Sequence, residues 1–459
     1  MALAQRTKKS NYFAKLPLLK KLFWLYFLLL IFEGALRKWA LPQLSAPLLL
    51  VRDPVGLYII WEAYRTLKWP RRWSTAALAL TMGFLGLCVA QIVVGDNPWF
   101  VGIYGLRSYL LPFPVAFIMG ENLDAEDLRR FGACTLWILV PMVGLEVAQY
   151  VAPSDSFLNR GAYEGGSQLS YTGAHVRASG TFSFVTGAAD YGPLAAAFIF
   201  YGMAKEKFVA RWLMAAASFA LILSLPVVGS RFMIFEVAGV MICVGIGAML
   251  GISNFAKTLR IIAPMVIISF LVSLLPIFSD ATNSLTTRFT EATSQEGGSV
   301  EQTLLNRAIN PAERAMENAD FAGSWMGVGM GRGAAAMATL LTGTQNFLTG
   351  EDELSREIIE LGPLPGMGFG LFRFVLAIYL FGQALARARD HDPLALLLAP
   401  LTLTSLVMGV MEQPTGQGFD VMCIAFTIAA IKTSQEGHRI VPVGDWVPIR
   451  KPSNRMTAR

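Results

Sequence analysis

Long apolar runs separated by short polar connections dominate the chain, and crossing a hydrocarbon layer as a helix takes about 20 predominantly apolar residues. On that criterion about twelve transmembrane helices are predicted, at 20–38, 46–65, 75–94, 99–119, 131–151, 186–204, 211–227, 232–250, 259–278, 365–386, 392–411 and 416–432. Arg52, Asp53 and Pro54 interrupt the second, which is the weakest. Only the Gly229-Ser230-Arg231 turn separates the seventh from the eighth. One interval, 279–364, holds no run of membrane length although such runs flank it. The chain therefore divides into 1–278, with nine spans and a shorter polar loop at 152–185, then the large loop 279–364, then 365–459, with three spans and a tail. The fold class expected is all-α integral membrane with a large helical loop outside the bilayer.

A polar insert of that length is rarely a mere connector. Its entrance, 280–299, is rich in Ser, Thr, Glu and Gly, and 301–318 has a helical pattern broken at Pro311. Thr349 stands three residues before Asp352, in capping-box register. The next segment puts Leu354, Ile358 and Leu361 on one helical face and Glu353, Glu357 and Glu360 on another, before Gly362 and Pro363 stop it. The bland expectation for that acidic face is solvation. The run Gly327-Val328-Gly329-Met330-Gly331-Arg332-Gly333 lacks the register and the preceding strand of a nucleotide-binding loop, so a close backbone turn under the substrate, or simple loop geometry, is expected there.

Composition agrees with a membrane rather than the cytosol: 54% of residues are hydrophobic and only 15% charged, against about 25% charged in soluble domains. Cys88, Cys134, Cys243 and Cys423 lie far apart inside apolar runs, and His175, His391 and His438 are scattered, so neither a metal site nor a cofactor is expected. The net charge of +6 looks at first like a nucleic-acid signal. With the N-terminus inside, however, Arg65, Lys68, Arg71, Arg72, Arg129, Arg130, Lys205, Lys207, Arg211, Lys257, Arg260, Arg387 and Arg389 all fall in inner connections, and the tail adds more. The charge is thus topology, both termini are expected in the cytoplasm, and nucleic acid drops out as a partner. No small-residue cleavage site follows the basic start cleanly, so the first run is expected to remain as an anchor.

Against that bias, Arg37, Arg52, Arg107, Arg177 and Arg231 fall on the outer half, with Arg107 about two helical turns inside the fourth span. Arginine at or in a membrane marks either a functional pathway or a paired structural site. Glu33 precedes Arg37 by one turn and Asp53 adjoins Arg52, so those two read first as structural ion pairs. Arg177 and Arg231 have no acidic neighbour in sequence and read first as functional. Guanidinium matches phosphate with paired donors, and a lipid-linked diphosphate presented at the outer leaflet fits both the chemistry and the depth.

At this point a family resemblance bears on the reading. Arg177-Ala178-Ser179-Gly180-Thr181-Phe182 resembles the Arg-x-Ser-Gly-Thr-Phe segment of the O-antigen ligase/polymerase superfamily. Gly229-Ser230-Arg231 resembles its Ser-Arg motif, the glycine run resembles one in its large periplasmic loop, and Glu360-Leu361-Gly362 with Gly366 resembles its Glu-x-Gly-x-x-Gly exit. The resemblance covers roughly 177–380 and implies a metal-independent glycosyltransferase of the GT-C class in the bacterial inner membrane. It would act on undecaprenyl-diphosphate-linked glycans as donor and acceptor, with a chain-length regulator or other polysaccharide-assembly proteins as further partners. By the resemblance Arg177 and Arg231 would hold the donor diphosphate, and Arg307 occupies about the place of a loop arginine. Ligases of the superfamily carry a histidine before the exit, and 279–364 contains none. That favours a Wzy-like polymerase of exopolysaccharide or O-antigen over a ligase. A carboxylate would then replace the histidine as base, with Glu353 the expected candidate. Arg107 and Arg332 are expected as further substrate contacts, and Glu360 either as another or as the orienter of Arg356. A transporter or flippase of lipid-linked saccharide is the rival class, for which paired broken spans are missing.

Overall fold

The computed structural model describes residues 16–162, 175–205, 208–252, 325–334, 337, 353–388 and 392–439. Among them no strand forms, and the chain is a packed helical bundle. In order the helices are α1 (Leu18–Ala35), α2 (Arg52–Arg65), α3 (Ser74–Val93), α4 (Trp99–Leu110), α5 (Pro112–Asn122), α6 (Ala125–Val151), α7 (Val185–Ala204), α8 (Arg211–Val228), α9 (Arg231–Met249), α10 (Glu353–Leu361), α11 (Pro363–Arg387), α12 (Leu394–Met408) and α13 (Pro414–Arg439). Every predicted run except 259–278 falls on these helices; that run, Arg307, the 301–318 pattern and the Thr349 cap lie outside the described residues. Eight helices among the described residues are long and apolar enough to cross a membrane, as a multi-pass helical membrane protein requires. Helix α12 is apolar but shorter.

Local chemistry sets the breaks. The predicted run 99–119 is two helices, because Pro112 and Pro114 supply no backbone N–H and Pro112 instead opens α5. Asp124 caps α6 in a reciprocal box with Asp127, and Lys20 closes on both carboxylates. Gly229 ends α8 at φ 58°, in the left-handed region, and Ser230 then caps α9 by accepting from the Met233 N–H at 3.4 Å.

Helix α7 is the central stave: apolar all round and buried along nearly its whole length, it packs on α6, α8, α9, α12 and α13. Helix α13 lies against α5, α12 and α7. Exposed apolar side chains lie instead on peripheral faces, such as Leu78, Met82 and Val89 on α3 and Leu371, Phe374, Val375 and Ile378 on α11. Bands of that kind suit lipid rather than water.

Candidate functional site

Two segments that carry the sequence motifs meet at one end of the bundle. The Ala178 N–H donates to the Val227 carbonyl at 3.3 Å, and Arg177 Nε donates to the Val228 carbonyl at 3.2 Å. The stretch entering α7 is thereby tied to the α8–α9 turn. Several other groups hold it. Gln149 of α6 accepts from the Ser179 and Gly180 N–H groups at 3.2 and 2.8 Å and donates to the Gly180 carbonyl at 3.1 Å. Thr181 Oγ1 donates to the Ile31 carbonyl of α1 at 2.6 Å. Lys38, in the π-helical extension of α1, donates to Ser179 Oγ at 3.0 Å and to the Gly180 carbonyl at 2.7 Å. Buried backbone polar groups need partners, and here Gln149 of α6 supplies three of the bonds while Lys38 and the end of α8 supply others. The segment is therefore a fixed scaffold for Arg177.

Arg177 opens onto a cavity of about 300 Å³ between α7, α9, α12 and α13. Phe184, Phe232, Leu401, Met408 and Phe419 give it apolar walls; Ser230, Ser405, Gln413 and three carboxylates, Asp190, Glu236 and Asp420, give it polar ones. Arg231 is half-buried as the first residue of α9, and its neighbours Ser230 and Phe232 line the cavity while Arg231 itself is not among the lining groups. Thr404 donates to Glu236, and Ser405 shares a hydrogen bond with Asp420.

The other predicted residues among those described gather in a second, adjoining cluster. Arg356 of α10 gives Nε and Nη2 to the two oxygens of Glu353 at 3.1 and 2.6 Å, and Nη1 to Glu360 at 2.8 Å and to the Tyr109 hydroxyl at 3.0 Å. Glu360 is 0% exposed and also accepts from the Tyr109 hydroxyl at 2.7 Å and the Gly333 N–H at 2.6 Å. Arg373 of α11 pairs with Glu357 and donates to the Ser405 and Gly409 carbonyls at 3.2 and 2.8 Å. The expectation of a solvated acidic face is overturned: Glu353, Arg356, Glu357 and Glu360 are all buried, because α10 turns that face inward, where its own Arg356 and Arg373 of α11 meet the carboxylates. Glu353 is thus committed to Arg356 and does not line the cavity that holds Arg177. Burial raises the Glu357 carboxyl to about 7, with Arg373 pulling the other way.

The glycine run docks on the same cluster. Gln91 accepts from the Met330 N–H at 2.9 Å and donates to the Glu360 carbonyl at 2.7 Å, while Asn97 donates to the Met330 carbonyl at 3.1 Å. Arg332 donates to Asn97 Oδ1 and the Asp96 carbonyl at 3.2 and 3.1 Å, which makes it a clasp between the run and α3–α4. Gly331 has φ 86° and packs so closely on α4 that a Cβ would stand 2.3 Å from the Val101 carbonyl oxygen. A close backbone turn was the expectation there, and a close turn is what forms.

Arg107 lies against Asp53 at 3.4 Å and donates to the Glu412 carbonyl at 3.3 Å. Asp53 is therefore the partner of Arg107, whereas Arg52 pairs with Glu33 at 3.1 Å; the expected Arg52–Asp53 pair is not the one that forms. Glu33 serves Arg37 as well, at 3.4 Å, and Arg37 donates to Ser183 at 2.9 Å. The two clusters share the connection between α12 and α13: Gly409, Val410 and Gln413 face the cavity, and Glu412 faces Arg107 and Arg356. Burial pushes the Glu412 carboxyl up to about 7, against the pull of Arg356 and Arg107.

Sequence reasoning weighed arginines and passed over Asp190, Glu236 and Asp420. The signal was present, since each is an acid in the interior of an apolar run. Lys38, at the outer end of the first run, carried the same signal and was passed over, whereas Gln149 left none, because its role depends on which backbone passes it. The described residues contain no group of three or more His, Cys, Asp or Glu able to hold a metal ion. Comparison with protein-family models and with curated proteins finds no match to the chain.

Proposed function

We propose that the chain is a membrane glycosyltransferase that polymerises undecaprenyl-diphosphate-linked oligosaccharide units into exopolysaccharide or O-antigen at the periplasmic face of the bacterial inner membrane. In this reading it has about twelve spans of GT-C type, with both termini in the cytoplasm. The observation that carries it is the meeting of the Arg177 segment with the Gly229-Ser230-Arg231 turn at one cavity, although they lie far apart in sequence. Arg177 offers a guanidinium, and Ser230 and Arg231 stand at the start of α9, where the helix dipole favours an anion. A diphosphate between them would gain charge as its bond to the sugar breaks, and a fixed guanidinium stabilises that developing charge. The aromatic and aliphatic walls suit the sugar face and the first part of a prenyl chain.

A strain lacking the protein, complemented with Arg177→Ala or Arg231→Ala, tests this. Chain growth read on a gel should fall on the order of 100-fold or more, with the variant still present in the membrane. Polymer of normal length in either variant would end the reading. Three carboxylates within apolar helices around one cavity favour a second reading, a transporter coupled to cation or proton movement. Purified protein in vesicles with lipid-linked units separates the two: new glycosidic bonds support the enzyme, and movement between leaflets without new bonds supports transport.

A further inference from the structure

Resting on the glycosyltransferase reading, we propose that Asp420 is the general base that takes the proton of the acceptor sugar hydroxyl. The site in question is the acidic wall of the cavity that Arg177 also lines. Three carboxylates share that wall and lie within electrostatic reach of one another. Their environments differ. Glu236 accepts from the Thr404 hydroxyl, which fixes it. Asp190 is only partly buried. Asp420, in the second turn of α13, is 5% exposed, yet its Oδ2 has no hydrogen-bond partner while the other side of the carboxyl meets Ser405.

A buried carboxylate oxygen without a partner is uncommon and asks for a donor. The surroundings leave room for one. A Cβ on Gly409 would stand 2.6 Å from both Asp420 oxygens, so the glycine keeps the carboxyl accessible from the cavity that Gly409 also lines. The charged groups around Asp420 are Asp190 on α7, Glu236 on α9, Arg373 on α11, Glu353 on α10 and Arg177 on the cavity lining. Arg373, held by the Ser405 and Gly409 carbonyls, gives the carboxylate a cation on its protein side. Its cavity side stays open to a neutral hydroxyl. At about 300 Å³ the space is at the small end of ligand pockets, so it takes the reacting groups while most of both glycans stays outside.

The step balances without a metal or a redox partner. The acceptor hydroxyl oxygen attacks the anomeric carbon of the donor, forming the new C–O bond. The bond from that carbon to the diphosphate oxygen breaks, and its electron pair leaves on the diphosphate, which Arg177 meets. The hydroxyl proton passes to Asp420 Oδ2. This assignment also gives the base a place on the cavity, which Glu353 does not have.

The test uses full-length protein in lipid nanodiscs, with diphosphate-linked oligosaccharide extracted from a host strain lacking the protein, and undecaprenyl diphosphate as the binding probe. Asp420→Asn should lower kcat for chain growth about 100-fold or more while leaving the affinity for undecaprenyl diphosphate unchanged. Asp420→Glu should recover part of the rate, and Arg177→Ala should lose affinity for the probe. Normal turnover in Asp420→Asn beside an inactive Arg177→Ala overturns the base and leaves the glycosyltransferase reading intact. Loss of probe affinity in step with turnover, in Asp420→Asn or in Asp420→Glu should the first not fold, makes the residue structural and also overturns it. Absence of chain growth in the wild-type protein sinks both together.

Discussion

Arg356→Met probes the buried network most directly. Arg356 satisfies both oxygens of Glu353 and one of Glu360 inside the bundle, and methionine keeps much of its volume without its charge. After the change Glu353 retains only Arg373, at 3.6 Å, whereas Glu360 keeps the Tyr109 hydroxyl and the Gly333 N–H. Removing one partner of a buried ion pair costs about 3–5 kcal/mol. A stranded carboxylate can instead take up a proton; from an ordinary pKa near 4.3 that costs about 3.7 kcal/mol at pH 7 and about 1 kcal/mol at pH 5. The loss at neutral pH should therefore be about 3–5 kcal/mol, and most of it should disappear by pH 5. Denaturant unfolding of the purified protein in detergent, followed by tryptophan fluorescence at the two pH values, measures both quantities. Adding Glu353→Gln to Arg356→Met should recover part of the loss at pH 7. A loss below about 1 kcal/mol, or one that does not change with pH, would refute the account of α10 as a helix held by buried charge.

Gly331→Ala should free the 325–334 segment from α4, since its Cβ would meet the Val101 carbonyl oxygen at 2.3 Å and the Gly105 nitrogen at 2.8 Å, both backbone. Left-handed strain and overpacking together give about 2–4 kcal/mol; faster hydrogen exchange in that segment should report it, and unchanged exchange would contradict the tight docking. For pH, the signs follow from Glu412 and Glu357, both raised by burial from 4.5 to about 7. The folded state binds more protons between those values, so the stability these groups contribute is fully present below about 4.5 and is lost as pH rises through about 7. The melting temperature should accordingly be higher at pH 5 than at pH 8, and Glu412→Gln should flatten part of that difference; an unchanged slope in the variant would remove Glu412 from the account.

Apolar runs, prolines and glycines were enough to locate the helices, because both membrane crossing and helix termination are short-range properties of the chain. Gly229-Ser230-Arg231 is one such case: a left-handed glycine and a capping serine define the turn whatever lies around it. The helix Glu353–Leu361 and its stop at Gly362 and Pro363 were legible for the same reason. The environment of its acidic face was not legible, since periodicity separates two faces without saying what each one meets. Arg356 stands on the same helix within one turn of Glu353 and Glu360, but only the packed bundle brought Arg373 and Tyr109 to that face, and only there did Asp53 turn to Arg107 and Glu33 to Arg52. Helical spacing supplies the pairs three or four residues apart, such as Glu33 with Arg37 and Arg356 with Glu360, but not the pairs between helices, which are chosen by distance in space. The same holds for the site. The sequence marked Arg177 and the Ser230-Arg231 turn by residue type and order, but the cavity that joins them to Asp190, Glu236 and Asp420 exists only where α7, α9, α12 and α13 converge.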